Sequence, residues 1–149
     1  MSVLWSLELD ARARHAHGTM ERFFVVLAGI NGLLAVALGA FGAHGLKPRM
    51  LALTDGAQRL AWWETASHYH LAHALALLCC AQLVTRSQPD ATAPCVAGYC
   101  FLAGIALFCG SLYAMTLSGA RILGAITPLG GACFLAGWAS VIVAGLALR

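Results

Sequence analysis

The chain reads as an all-α membrane protein, an integral four-helix bundle with antiparallel, up-and-down topology. Three observations predict this. Hydrophobic residues make up 60% of the 149 and charged residues 10%, where soluble domains carry about 45–50% and about 25%. Four long stretches reach the roughly 20 apolar residues that cross a hydrocarbon core of about 30 Å. No alternation in runs of about ten residues, the mark of a transmembrane barrel, is visible. Hydrocarbon offers the backbone no water, so each stretch must bond within itself and is predicted to be a helix.

Residues 1–19 form a polar lead. Val3, Leu4 and Leu7 suit one face of a short interfacial helix. The alternative is that Met20 is the natural start, immediately before the first span. Residues 20–149 form a single membrane domain, with spans near 23–43, 60–85, 95–117 and 127–148. In the first span, Phe23 to Phe41 holds one polar side chain, Asn31. Arg12, Arg14 and Arg22 precede it, and Ala35-Val36-Ala37 resembles a signal cleavage site. The apolar run exceeds the roughly 7–15 residues of a signal core, so a retained span is expected. Ala28, Gly32, Ala35, Gly39 and Gly42 share one face, which suits close helix approach. Gly42-Ala43-His44-Gly45 ends the span. Gly45 fits the left-handed C′ position, and His44 suits the negative end of the helix dipole. Lys47-Pro48-Arg49 is expected to break the chain.

Asp55 followed by Gln58 resembles a capping box, which starts the second helix near Gly56. Trp62 and Trp63 suit a membrane interface. Ala66 to Val84 then runs without Asp, Glu, Lys or Arg. Gln88-Pro89-Asp90 reads as a tight turn into the third span. Cys95 to Leu117 is also free of Asp, Glu, Lys and Arg, and Gly104, Ser111 and Ser118 repeat every seven residues on this third span. Thr127-Pro128 reads as N-cap and first helical residue of the fourth span, and Gly130 and Gly137 as packing glycines. Such small faces imply a tight bundle with little room for an internal channel.

Charge excludes some functions and leaves orientation open. The net charge of +3 is spread between loops, and no basic stripe with interleaved aromatics suggests nucleic acid. The basic residues divide five to four between the two sides, which does not orient the chain. The six cysteines show no CxxC and no zinc spacing, and are expected to be reduced apolar filler.

Histidines on the second span are the candidates for chemistry, because ionisable groups within a membrane helix are costly. At 100° per residue, His70 and His73 share a face with Trp62, Ala66 and Leu77, while Glu64 and His68 point roughly the other way. His70 and His73 have the spacing to ligate haem or a metal, or to bond a quinone carbonyl. The plainer reading has them neutral and bonded across helices to Asn31, Ser111 or Tyr113. Two histidines fall short of the three protein ligands usual in catalytic zinc sites. No nucleophile stands beside a base, and no glycine loop has phosphate-binding spacing.

Four blocks resemble a known family. They are Leu38 to Leu46 (Leu-Gly-Ala-Phe-Gly-Ala-His-Gly-Leu); Trp63-Glu64-Thr65-Ala66 with Tyr69 and His73-Ala74; Gly110-Ser111-Leu112-Tyr113; and Ile126 to Gly131 with Gly137-Trp138. In that order they resemble the membrane-protein family of domain of unknown function 423, related to the transmembrane protein 256 family. The resemblance runs from Met20 to the C-terminus and implies a bacterial inner-membrane or mitochondrial protein. It implies no particular activity. His70 departs from it, since the family more often has Gln there, which argues against an essential ligand.

The expected function is therefore that of a small multi-pass protein of a bacterial inner membrane without catalysis of its own. It would be an interaction or accessory subunit of a larger membrane complex, meeting membrane lipids and a protein partner or a second copy of itself. The alternative is a protein that binds lipid, quinone or haem. The candidate pocket comprises His44, Trp63, Glu64, His70, His73, Tyr113 and Thr127. Topology brings the four blocks to one end of the bundle. There His44 is expected near Glu64, Thr65 or His68, and His73, deeper, near Ser111 or Tyr113.

Overall fold

The structure, a computed structural model, describes residues 2–88 and 92–148, with side chains described from His17 onward. The described chain is helical along four rods. The first comprises α1 (Ser2–Phe41), a wide π turn at Gly42–Leu46 and the short α2 (Lys47–Met50). The second is α3 (Gly56–Arg86). The third comprises α4 (Ala93–Gly104), a second π turn at Ile105–Cys109, and α5 (Gly110–Ser118). After a 3-10 turn at Arg121–Ala125 comes the fourth, α6 (Thr127–Leu146). The interfacial face expected of Val3, Leu4 and Leu7 lies outside the described side chains. So does most of the turn expected at Gln88-Pro89-Asp90.

Successive rods pack antiparallel. Asn31 of α1 meets His70 of α3, while Leu38, seven residues on, meets Trp63, seven residues back. Arg59 of α3 meets Thr116, and His73 meets Phe101. Ser111 meets Thr127, and Phe101 meets Trp138. The third and fourth rods close through glycine. A Cβ on Gly130 would strike the backbone of Phe108, and Cβ atoms on Gly104 and Gly137 would strike the rings of Phe134 and Phe101. Membrane helices gain their cohesion from such close approach, because lipid is as apolar as the side chains it replaces.

Three of the rods are long and apolar enough to cross a membrane: His17–Met50, Ala93–Ser118 and Arg121–Leu146. The chain is an all-α membrane protein. Helix α3 is more polar than the other three, although its 31 residues extend about 46 Å. It packs against both the first and the third rods. Its buried side carries Ala66, His70, His73 and Leu77, and its exposed side Glu64 and His68, as the helical period predicts.

Four local expectations are corrected. Gly45 is not left-handed: among the described residues Gly119 alone has positive φ. The helix does not end at His44 but widens, and the Lys47 N–H reaches back to the Gly42 carbonyl. Nor do Lys47, Pro48 and Arg49 break the chain. Proline cannot donate and crowds the preceding turn, and the wide turn just before Pro48 relieves that conflict without stopping the helix. The connection comes later, at residues 51–55. Helix α3 does start at Gly56, but without a side-chain cap; the Asp55 carboxylate accepts from Arg59 Nε at 2.9 Å instead. Likewise α6 starts at Thr127 without a side-chain cap. The Leu129 and Gly130 N–H groups already bond the Ile126 carbonyl, so the Thr127 hydroxyl pairs with Ser111 at 2.8 Å.

Candidate functional site

A cleft of about 230 Å³ opens between the first rod and α3. It lies where α1 widens into the π turn and α3 has run two turns from its start. The glycines make it. A Cβ on Gly39 would lie 3.0 Å from the Ser67 hydroxyl, and one on Gly42 would strike the Trp63 indole. Ala43 and Lys47 complete the wall from the first rod, while Leu60, Trp63, Glu64, Ser67 and His68 line the other.

Trp63 anchors this end. Its side chain is buried, 3% exposed. Its indole N–H donates to the Leu38 carbonyl at 2.9 Å, and the ring meets Tyr113 edge-on at 4.6 Å. One tryptophan thereby joins the first three rods. Beside it, Thr116 donates its hydroxyl hydrogen toward the Arg59 and Leu112 carbonyls. Arg59 returns a bond from Nη1 to the Thr116 carbonyl at 3.3 Å. Its guanidinium covers Gly119, the left-handed residue that ends the third rod. The Arg59 hydrogen bond holds the Asp55 carboxyl below its usual range. Sequence reading missed this Arg59–Thr116 brace; the one available signal was the i,i+4 spacing of Asp55 and Arg59.

The predicted histidines separate. His73 is buried in an aromatic box, stacked on Phe134 at 3.6 Å with Phe101 and Trp138 around it. Its Nδ1 lies 2.8 Å from the Tyr69 carbonyl, which can only accept. The Trp138 indole N–H, which can only donate, lies 3.3 Å from Nε2. These partners define a neutral ring with hydrogen on Nδ1 and both nitrogens engaged. The expectation of His73 beside Ser111 or Tyr113 is corrected, because Phe134 fills the stacking position. His70 does bond Asn31, Nε2 to Oδ1 at 3.1 Å. Asn31 Nδ2 donates to the Leu27 carbonyl, so Oδ1 accepts and His70 Nε2 carries the hydrogen. That leaves His70 Nδ1 a buried acceptor without a hydrogen-bond partner, and the Tyr113 hydroxyl is buried in the same condition; the two rings lie 6.2 Å apart.

Of the predicted pocket residues, only Trp63 and Glu64 line the cleft. His44 is exposed on the neighbouring π turn. Tyr113 stands behind Trp63, His70 sits deeper, and Thr127 is engaged by Ser111 across the third rod. Lys47, Ser67 and His68 join the cleft instead. Among the described residues, no group of three His, Cys, Asp or Glu has metal-holding geometry. The six cysteines are free.

Comparison with known proteins bears on the same region. A family profile described as "Protein of unknown function (DUF423)" matches residues 38–131, from the end of α1 to the start of α6. The chain belongs to this family. Among DUF423 relatives, it is 43% identical over 125 residues to "UPF0382 membrane protein YwdK" of Bacillus subtilis, covering 84% of this chain and 97% of that one. It is 40% identical over 130 residues to "UPF0382 inner membrane protein YgdD" of Escherichia coli K12, covering 87% and 93%. A "UPF0382 membrane protein" of Staphylococcus epidermidis is 38% identical over 125 residues, covering 84% and 96%. No solved structure matches. The matched segment contains the π turn, the cleft, Trp63 and the Ser111–Thr127 pair. The first 37 residues fall outside it.

Proposed function

We propose that this DUF423 protein works by binding rather than by catalysis, as an accessory component of the bacterial inner membrane, where its Escherichia coli relative is placed by name. The supporting observation is the outward side of α3. Glu64, Thr65 and His68, within about one turn of each other, are exposed there, on the helix that packs against both the first and the third rods. Among the described residues Glu64 forms no ion pair, and an unpaired charge is costly where water is scarce. A protein partner laid against this side would supply the missing contacts and make the chain a subunit of a larger membrane complex.

The test is site-specific photo-crosslinking in native membranes, with the reactive residue at Thr65, at His68 and, as control, at Ala136 on the exposed side of α6. The same membrane protein, identified by mass spectrometry, is expected from positions 65 and 68 and not from 136. Failure to form a protein adduct at 65 and 68, or identical adducts at all three positions, would overturn the proposal.

A second reading has its own observation. The cleft beside this face presents both Lys47 and Glu64, which suits the polar end of a lipid. Haem ligation draws less support, since His73 Nε2 already accepts from the Trp138 indole and a ligand there would displace that bond; a quinone carbonyl at Nδ1 would likewise displace the Tyr69 carbonyl.

A further inference from the structure

The cleft carries charge in a pattern that specifies a ligand. Lys47 approaches from the first rod and Glu64 from α3, and both line the same 230 Å³ space. Among the described residues they form no ion pair with each other or with a third group; the pair seen at this end is Asp55–Arg59. Ser67 lines the same cleft, with its hydroxyl beside Gly39. One cation, one carboxylate, one hydroxyl and the His68 imidazole line this small cleft, and the opposed charges match a ligand that carries an anion and a cation a few bonds apart.

We propose that the cleft binds a phosphate ester bearing a primary ammonium, the headgroup chemistry of phosphatidylethanolamine. This deepens the second reading above, the cleft as a lipid site. Lys47 meets the phosphate, with the Ser67 hydroxyl as a further donor. Glu64 accepts hydrogen bonds from the ammonium; charge-assisted bonds of this kind are about twice as strong as neutral ones. The ammonium must be primary. A quaternary ammonium has no N–H to give Glu64, and its usual receptor is an aromatic cage. The aromatic ring in this cleft is Trp63, which is 3% exposed and already engaged with Leu38 and Tyr113. A lipid bearing only an anion would leave Glu64 facing that negative charge unpaired. The level also suits a headgroup. Glu64 is about 12 Å along α3 from Gly56, and Leu33, Leu34 and Val36 are exposed on the first rod toward its middle, where acyl chains would lie.

Native mass spectrometry of the detergent-purified protein tests this, with phosphatidylethanolamine, phosphatidylcholine and phosphatidylglycerol added in turn. The ethanolamine lipid should be retained at least tenfold more tightly than the other two. Lys47→Ala should weaken it about tenfold. Glu64→Gln should abolish the preference for ethanolamine over glycerol headgroups while phosphatidylglycerol binding is kept or improved. Both side chains are exposed, so the fold does not depend on them; unchanged melting of the variants confirms that. Equal retention of the three lipids, or loss of preference in neither variant, overturns the proposal. Soluble glycerophosphoethanolamine separates the sources. Competition only at concentrations far above the lipid's supports a membrane lipid, whereas competition at equal concentration overturns the lipid assignment in favour of a soluble ester. Failure here leaves the crosslinking result untouched, so the two proposals fall separately.

Discussion

Replacing Trp63 with alanine is expected to loosen the first rod from the rest of the bundle, at a cost of about 3–5 kcal/mol for the emptied volume. The side chain is buried, its N–H bonds the Leu38 carbonyl, and its ring fills the space between Gly42 and Tyr113. Trp63→Phe keeps most of the packing and gives up the hydrogen bond, so its loss should be nearer 0.5–1.5 kcal/mol. Reversible unfolding in mixed micelles, followed by far-ultraviolet circular dichroism, measures both. If Trp63→Ala proves no less stable than Trp63→Phe, the joint between rods is held elsewhere.

Glycine-to-alanine changes should divide by sign. At Gly130 the added methyl group meets the backbone of Phe108, which cannot swing aside. The fourth rod must move away, costing about 1–3 kcal/mol or more. Gly104→Ala and Gly137→Ala meet the buried side chains of Phe134 and Phe101 rather than backbone, and should cost less. At Gly29 the methyl group meets nothing within 4 Å. There the better helix propensity of alanine should stabilise by about 0.5–1 kcal/mol. Thermal melting of the four variants in one detergent decides the matter. A Gly130→Ala protein that melts with the Gly29→Ala protein would mean that these rods do not meet through glycine.

The apolar runs and the small-residue faces carried the fold into view. Ala28, Ala35 and Gly42 are buried on one side of the first rod, as their spacing implies, and α3 and α6 start where their first-turn residues indicate. The helix ends were harder to read, because each offers its polar groups more than one partner. Thr127 had a choice between its own backbone and Ser111, and a partner sixteen residues away leaves no local trace. Asp55 had the same choice between capping and Arg59. Pro48 announces a conflict without announcing its resolution; a break and a widened turn satisfy it equally until Gly42 is seen under Trp63. The cleft was half legible. Trp63 and Glu64 belong to it, but Lys47 arrives only because the wide turn rotates the chain that follows. His73 was misplaced because aromatic stacking on Phe134 is a long-range contact that helical spacing does not encode.

The mixed character of α3 bears on how the chain is made. A segment emerging from the ribosome is sorted into lipid by its own apolarity, and α3, with Arg59, Glu64 and three histidines, is less apolar than the other three rods, which are long and apolar enough to cross a membrane. The first rod, synthesised just before, holds what α3 lacks: the Asn31 oxygen for His70 and the Leu38 carbonyl for Trp63. The first two rods are therefore expected to enter the bilayer as a hairpin, α3 waiting at the translocation channel until its predecessor turns to meet it. A chain without residues 17–50 should leave α3 uninserted, and cysteine labelling from each side of the membrane reads that directly. Full insertion of the shortened chain would show that α3 needs no escort.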